Sequence, residues 1–516
     1  MARRLDAKLF KLFSLRSLGQ RDMTSQTTYS RGTATPHTHR LAHALVVFAT
    51  CLLAIPAWSQ VERVEQLSFP PLPEIIIPEP TRVVLDNGLV VLLLEDHELP
   101  IVSVSARIRT GSRLEPKDKI GLAGLTGTVM RSGGTTTLAG DTLDDYLEGK
   151  AASIETGIGT TVGTASMNSL IEDFEDVFQV FVDVLRHPSF DSEKLVIAKN
   201  QVMAGIARQN DNPNGIVSRE FAKLVYGTHS PYASQETYAT IGSITRDDLI
   251  AWHKKYYHPN RMILGLVGDF NTKEALALVK RMFGTWPKGP EFSDPEVPFQ
   301  QSTTRGVYYV EKNDMTQAKI IIGHMGLIRK HPDYHPVVIT NQILSGSFGA
   351  RLFSSIRSKQ GLAYDVHGGV GFGWDYPATA NFSMSTKTET TQAGIDALIE
   401  EAHKIMKTEP PTDEEVQNAK ASLLNSFVFS VDSPGKVLGK LLTYEYYGYP
   451  SDWMTRFRNG IERVTTEQVR RAAQQHIKPD QFVILVVGPR KGTASALARY
   501  EKVHELDISI PESYSE

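Results

Sequence analysis

The chain repeats itself at the scale of a whole domain. The stretch Ile241-Gly242-Ser243-Ile244-Thr245-Arg246-Asp247-Asp248-Leu249 leads to His258-Pro259-Asn260 and then to the apolar run Met262–Gly268. Without a gap, Ile461-Glu462-Arg463-Val464-Thr465-Thr466-Glu467-Gln468-Val469 leads to Lys478-Pro479-Asp480 and to Phe482–Gly488, with Ile461 lying 220 residues after Ile241. Each unit reads as a Thr-capped helix, a Pro turn and a buried strand ending in Gly. A second pair lies at almost the same offset, 221 residues: Asp191–Lys199 and Thr412–Lys420 both open on a capping residue and reach an Ala-Lys pair. Thr412 to Glu415 is itself a capping box after Pro410-Pro411. Two matches at almost the same period imply an internal duplication, and 516 residues exceed what one core of ~250–300 residues organises.

Between the copies, Trp286 to Thr304 is rich in Pro and polar residues and reads as a linker. The expected organisation is a first domain over about 65–290, a linker at 291–304 and a second domain at 305–510. Alternating strands and long amphipathic helices in segregated order predict an α+β fold of two homologous sheet-and-helix sandwiches. A net charge of −3 gives no electrostatic reason to expect nucleic acid. Cys51 is the only cysteine, so an internal disulfide and a cysteine-based metal site are both excluded. It lies in a segment with a basic, acid-poor start, an apolar run from Leu41 to Ile55 and a small-x-small pattern at Ala57-Trp58-Ser59. Residues 1–59 thus read as a secretory signal peptide delivering the chain to a periplasm, with Met23 an alternative start and an uncleaved membrane anchor the alternative reading.

The segment Gly121-Leu122-Ala123-Gly124-Leu125-Thr126-Gly127-Thr128 follows an alternating strand, Val102 to Ile108, and a Gly111-Ser112-Arg113 turn. This layout resembles the pitrilysin/insulinase-type metallopeptidases, with their GSR turn, GLAH run and inverted zinc motif H-x-x-E-H. The resemblance covers essentially the whole mature chain and implies a clamshell half built from the two homologous domains. On that pattern the first His position holds Gly124, the Glu position Gly127 and the second His position Thr128. The third ligand, a Glu on a later helix, falls on Ala204 or Gly205. A catalytic zinc needs three protein ligands and an open water position. The expectation is therefore no metal or cofactor bound by this chain. Other histidines offer no replacement set: His331 and His335 flank Pro332 at a helix entry, and His187, His253 and His258 sit at turns without a third ligand at a plausible spacing.

The second domain keeps a more specific motif. Arg351-Leu352-Phe353-Ser354-Ser355-Ile356-Arg357-Ser358-Lys359-Gln360-Gly361-Leu362-Ala363-Tyr364 resembles the family's R-L-F-x-x-x-R-x-x-x-G-L-A-Y segment. The resemblance implies that Arg357 and Tyr364 reach substrate beside a zinc: a guanidinium holds a carbonyl and a phenol donates to an oxyanion. Ser345–Gly349 is a short Gly-rich turn ahead of it. The resemblance also implies peptide seated as an added strand on the edge of the first domain's sheet, with Val102–Arg109 the matching strand. The leading expectation is a non-catalytic subunit of a heteromeric zinc peptidase. Its partner would be a homologous chain carrying intact H-x-x-E-H and the zinc, and its substrates peptides. The alternatives are a structural or peptide-binding protein without proteolytic role, and a self-sufficient metallopeptidase with an altered site.

Overall fold

The computed structural model describes residues 77–293 and 305–510; the expected signal peptide and linker residues 294–304 lie outside the described residues. Strands β1 (Thr81–Val84), β2 (Val90–Glu95), β3 (Ile101–Ile108), β4 (Ser153–Ile158), β5 (Gly163–Leu170) and β6 (Met262–Gly268) form one sheet in the order β1-β2-β6-β3-β5-β4. The later strands are β7 (Gly306–Glu311), β8 (Gln317–Met325), β9 (Leu327–Ile328), β10 (Val366–Val370), β11 (Phe372–Gly373), β12 (Thr379–Lys387), β13 (Val483–Gly488) and β14 (Val503–Glu505). Six of them make a second sheet, β10-β12-β8-β13-β7-β14, while β9 and β11 pair by themselves. Matching β7 to β2, β8 to β3, β13 to β6, β12 to β5 and β10 to β4 gives the same order in both sheets. The parallel pairs β2–β6 and β7–β13 correspond as well.

The helices that position the site are α1 (Leu122–Ser132), α2 (Ser192–Ala207), α3 (Pro213–Tyr226), α4 (Arg246–Tyr256), α5 (Tyr334–Ser345), α6 (Asp413–Phe427), α7 (Pro434–Tyr447), α8 (Trp453–Arg463) and α9 (Thr466–His476). Their caps repeat like the strands. Thr245 with Asp248, and Thr465 with Gln468, close capping boxes on α4 and α9. The two Ala-Lys pairs do the same work in each half. Lys199 Nζ donates to the carbonyls of Gly242 and Ile244 (2.9 and 3.0 Å), and Lys420 Nζ to those of Glu462 and Val464 (2.7 and 3.1 Å). Each ammonium thus satisfies the orphan carbonyls at the end of a neighbouring helix.

Each sheet buries one face against its own half's helices. Val102, Val104, Ala106 and Ile108 of β3 enter the first core, and Ile320 and Ile322 of β8 the second. The opposite faces are covered reciprocally. Helix α3 lays Ile216, Val217, Phe221 and Val225 on Val310, Ile321, Val483 and Leu485 of the second sheet. Helix α7 lays Val437, Leu438, Leu441 and Leu442 on Leu92, Leu94 and Ile263 of the first. Both helices place Pro at their first position behind a side-chain cap, Asn212 or Ser433, which fixes where they start. Close seating of α7 relies on Gly265, where a Cβ would stand 2.8 Å from Leu442 Cδ1. Polar clamps lie along the same boundary. Arg113 of the GSR turn pairs with Asp375 (2.7 Å), and Tyr446 Oη donates to the Thr161 carbonyl (2.5 Å).

One sequence expectation is corrected here. Strand β3 is not a sheet edge, because it pairs along its length with β5 on one side and β6 on the other. Its ladder groups are spent, and its alternation reflects one face in the core and one turned toward α7. The edges are β1 and β4. No helix of the described residues is long and apolar enough to cross a membrane. Leu442→Ala, which removes a side chain 1% exposed from the exchanged-helix interface, is expected to cost about 2–5 kcal/mol in urea unfolding of the full chain.

Candidate functional site

The positions matched to the zinc motif lie on α1 and on α2, which packs against it. Gly124 and Thr128 are on the exposed side of α1, and Ala204 and Gly205 are exposed on α2. A Cβ at Gly124 or Gly205 would meet nothing within 4 Å. Gly127 differs. A Cβ there would stand 2.7 Å from the Ile158 nitrogen and 2.9 Å from Gly157 Cα, because β4 runs directly against the helix. Thr156 Oγ1 donates to the Gly127 carbonyl (2.6 Å) and Arg131 Nε to the Ile154 carbonyl (2.8 Å), fastening helix to strand. The position matched to the general base is therefore filled by backbone. Only the Thr128 hydroxyl among these side chains carries a donor atom, so the residues present do not fit a zinc ion.

A carboxylate stands beside α1 that the sequence pattern did not single out. Glu115 Oε1 accepts from Ala123 N (2.6 Å) and Oε2 from Gly121 N (3.2 Å), satisfying the first amides of the helix. Burial pushes this carboxyl up to about 7 despite those two N–H donors, with Glu236 adding to the rise. Both oxygens are committed to the helix end, so Glu115 acts as its cap.

The second-half motif divides its two arginines. Arg351 forms a bidentate pair with Glu415 (2.7 and 2.6 Å) and donates to the Glu409 carbonyl (2.6 Å), tying the segment to the start of α6. Arg357 lies in a π-helical turn, Phe353–Lys359, a local widening that recurs at functional sites. Its guanidinium sits between two rings, 4.5 Å from the Phe353 centroid and 4.6 Å from that of Tyr364. No carboxylate of the described residues pairs with it. Tyr364 is 77% exposed, and Phe348 of the Ser345–Gly349 turn is 80% exposed and edge-on to Phe353 at 4.9 Å. The structure thus brings Arg357 and Tyr364 together at the surface. No hydrogen bond, ion pair or ring contact among the described residues joins either to Gly124, Gly127, Thr128 or Gly205.

The histidines sort by surroundings. His253 Nε2 bonds the Leu185 carbonyl (2.8 Å), and burial holds the ring down to about 4. His331 and Asp333 are joined by His476, 143 residues later in sequence, which the spacing along the chain did not reveal. By type these three could ligate a metal. Their atoms are already engaged: Asp333 accepts from His476 Nε2 (2.9 Å) and Arg471 Nη2 (3.0 Å), and its amide donates to His331 Nδ1 (3.1 Å). The cluster fastens the start of α5 to α9.

Two tests follow from α1. Gly124→Ala is expected to stabilise the chain by about 0.5–1 kcal/mol, since a helix-interior glycine gains a methyl in open space. Gly127→Ala is expected to destabilise by about 1–3 kcal/mol, since the same methyl enters backbone; equal signs in urea unfolding would contradict the packing described. For Glu115, the folded state holds its proton to higher pH than the unfolded chain. Its contribution is fully present below about 4.5 and is lost as pH rises through about 7. The stability of wild type relative to Glu115→Gln should fall across that window.

Comparison with known proteins agrees with this geometry. The model described as insulinase (peptidase family M16) matches residues 90–231, and that described as peptidase M16 inactive domain matches 243–423. A Bacillus subtilis (strain 168) protein named as the uncharacterized zinc protease YmxG is 24% identical over 411 residues, 78% of this chain and 97% of its own. A Helicobacter pylori protein named non-peptidase homolog YmxG is 24% identical over 406 residues, 78% of this chain and 92% of its own. The crystal structure of a peptidase M16 inactive domain from Pseudomonas fluorescens superposes with a TM-score of 0.71 at 27% identity, covering 80% of this chain and 98% of that one. The first half of the periplasmic protease PqqL from Escherichia coli shares the fold, with a TM-score of 0.67 at 16% identity over 84% of this chain and all of that one. Two sheets of one strand order, the GSR turn, the R-L-F to A-Y segment and these matches lead to one conclusion: the chain belongs to the insulinase, or M16, peptidase family.

Proposed function

We propose that this chain is the non-catalytic, substrate-binding subunit of a heteromeric zinc peptidase, with Arg357 and Tyr364 completing the active site of a homologous partner. The observation that carries this reading is the Arg357–Tyr364 pair. A guanidinium with no carboxylate partner among the described residues, held against the Phe353 ring and the exposed phenol of Tyr364, is oriented for a ligand outside the chain. In the assembled site Arg357 holds a substrate carbonyl and the Tyr364 hydroxyl donates to the oxyanion of the tetrahedral intermediate. The partner supplies H-x-x-E-H, and with it the zinc and the general base, because α1 offers neither. The basic-then-apolar start of the sequence supports export to a periplasm, the compartment named for the PqqL neighbour.

A second reading, a binding or structural protein with no proteolytic partner, is favoured by the non-peptidase name of the Helicobacter relative. One experiment separates the two. Tagged chain is recovered from its native cells, the co-purifying proteins are identified, and peptidase activity is assayed with and without chelator. The subunit reading expects chelator-sensitive activity that needs both chains and falls about 10–1000-fold in kcat with Arg357→Ala or Tyr364→Phe. Unchanged activity in both variants, or recovery with no peptidase-competent homologue, gives the second reading.

A further inference from the structure

Between α7, α8 and the end of β3 lies a cavity of about 760 Å³ with a charge imbalance that the catalytic question leaves unexplained. Arg107, Arg329, Lys436 and Lys440 line it, and no Asp or Glu of the described residues does. Lys436 is neutralised outside the wall by Asp432 at 2.8 Å. The other three have no carboxylate partner among the described residues. Arg107 projects from β3 and is half-buried. Lys440 is half-buried on α7 and faces the field of Arg329, and burial and that neighbour hold its ammonium below the ordinary lysine range. Arg329 donates to Tyr334 Oη (2.7 Å) and lies 4.3 Å over the Trp374 ring, while its Nε is buried without a partner.

Desolvating like charges together is costly unless an anion repays it. The rest of the wall is aromatic: Trp374, Phe427, Trp453 and Phe457 line the same space, and Phe429, 69% exposed, stands at its rim. A small inorganic anion would satisfy the cations and leave those rings facing water. The volume lies within the ~300–1,000 Å³ range of sites for organic ligands.

We infer that this cavity binds an acidic peptide segment, its carboxylates received by Arg107, Arg329 and Lys440 and an apolar side chain set among the aromatic rings. The site is separate from Arg357 and Tyr364, and binding is read on the isolated chain, so it stands or falls independently of the partner-peptidase reading.

The test uses the full chain and a capped tripeptide of glutamate, phenylalanine and glutamate. Calorimetry is followed alongside the fluorescence of Trp374 and Trp453, which line the cavity. Saturable binding is expected, at least tenfold tighter than for the glutamine-phenylalanine-glutamine isostere and weakening with added salt. Arg107→Gln and Lys440→Gln should each reduce affinity about tenfold, in line with loss of one charge-assisted hydrogen bond. Both variants should unfold at a urea concentration no lower than wild type, because each removes an unpaired cation. Lys440→Met provides a second variant with the same expected loss of binding. Equal affinity for the isostere, equal competition by inorganic phosphate, or full affinity in all three variants would overturn the inference.

Discussion

The exchange of helices α3 and α7 is the constraint on which the rest of the molecule depends. Each lays an apolar stripe on the sheet of the opposite half, so neither half is complete alone. Four fully or nearly buried aliphatic side chains of α7 meet the first sheet, each contributing about 1.5–3 kcal/mol of burial. Helix α7 then has a second task. Its opposite side carries Lys440 and faces the cavity that β3 enters through Arg107. One element therefore closes the interface and shapes a pocket, and the pocket inherits the rigidity of the interface.

The R-L-F segment holds its two arginines by different means. Arg351 spends its donors on Glu415 and the Glu409 carbonyl and locks the segment to α6. Arg357, in a turn of different pitch, spends none on a carboxylate and is held by ring faces alone. Aromatic faces orient a guanidinium without using up its N–H groups, which keeps its hydrogen-bonding capacity for something else.

What the sequence disclosed follows from how local each signal is. Capping boxes, Pro turns and strand-ending glycines are decided within a few residues, and they carried the duplication from Thr245 and Thr465 to the matched strands β6 and β13. The R-L-F segment was legible for the same reason. Strand order was not. The alternation of β3 reports that one face is buried, but it does not report that β5 and β6 occupy both edges. Nor does it report that a helix more than three hundred residues later covers the other face. The Asp333–His476 contact was hidden likewise, since it joins residues 143 apart in sequence. The Glu115 cap is local, but it reaches the helix from six residues before Gly121, outside the spacing of a capping box. Gly124 and Gly127 look alike as letters, and only the position of β4 tells them apart.

That difference ranks the four positions matched to the zinc motif by what a larger side chain would meet there. Gly124, Thr128 and Gly205 stand at surfaces where a larger side chain costs little structurally. At Gly127 the strand has taken the volume a glutamate would need, and the Thr156 and Arg131 bonds hold it there. A side chain installed at the open positions alone would still have no carboxylate beside it, because a glutamate at position 127 requires β4 to move first.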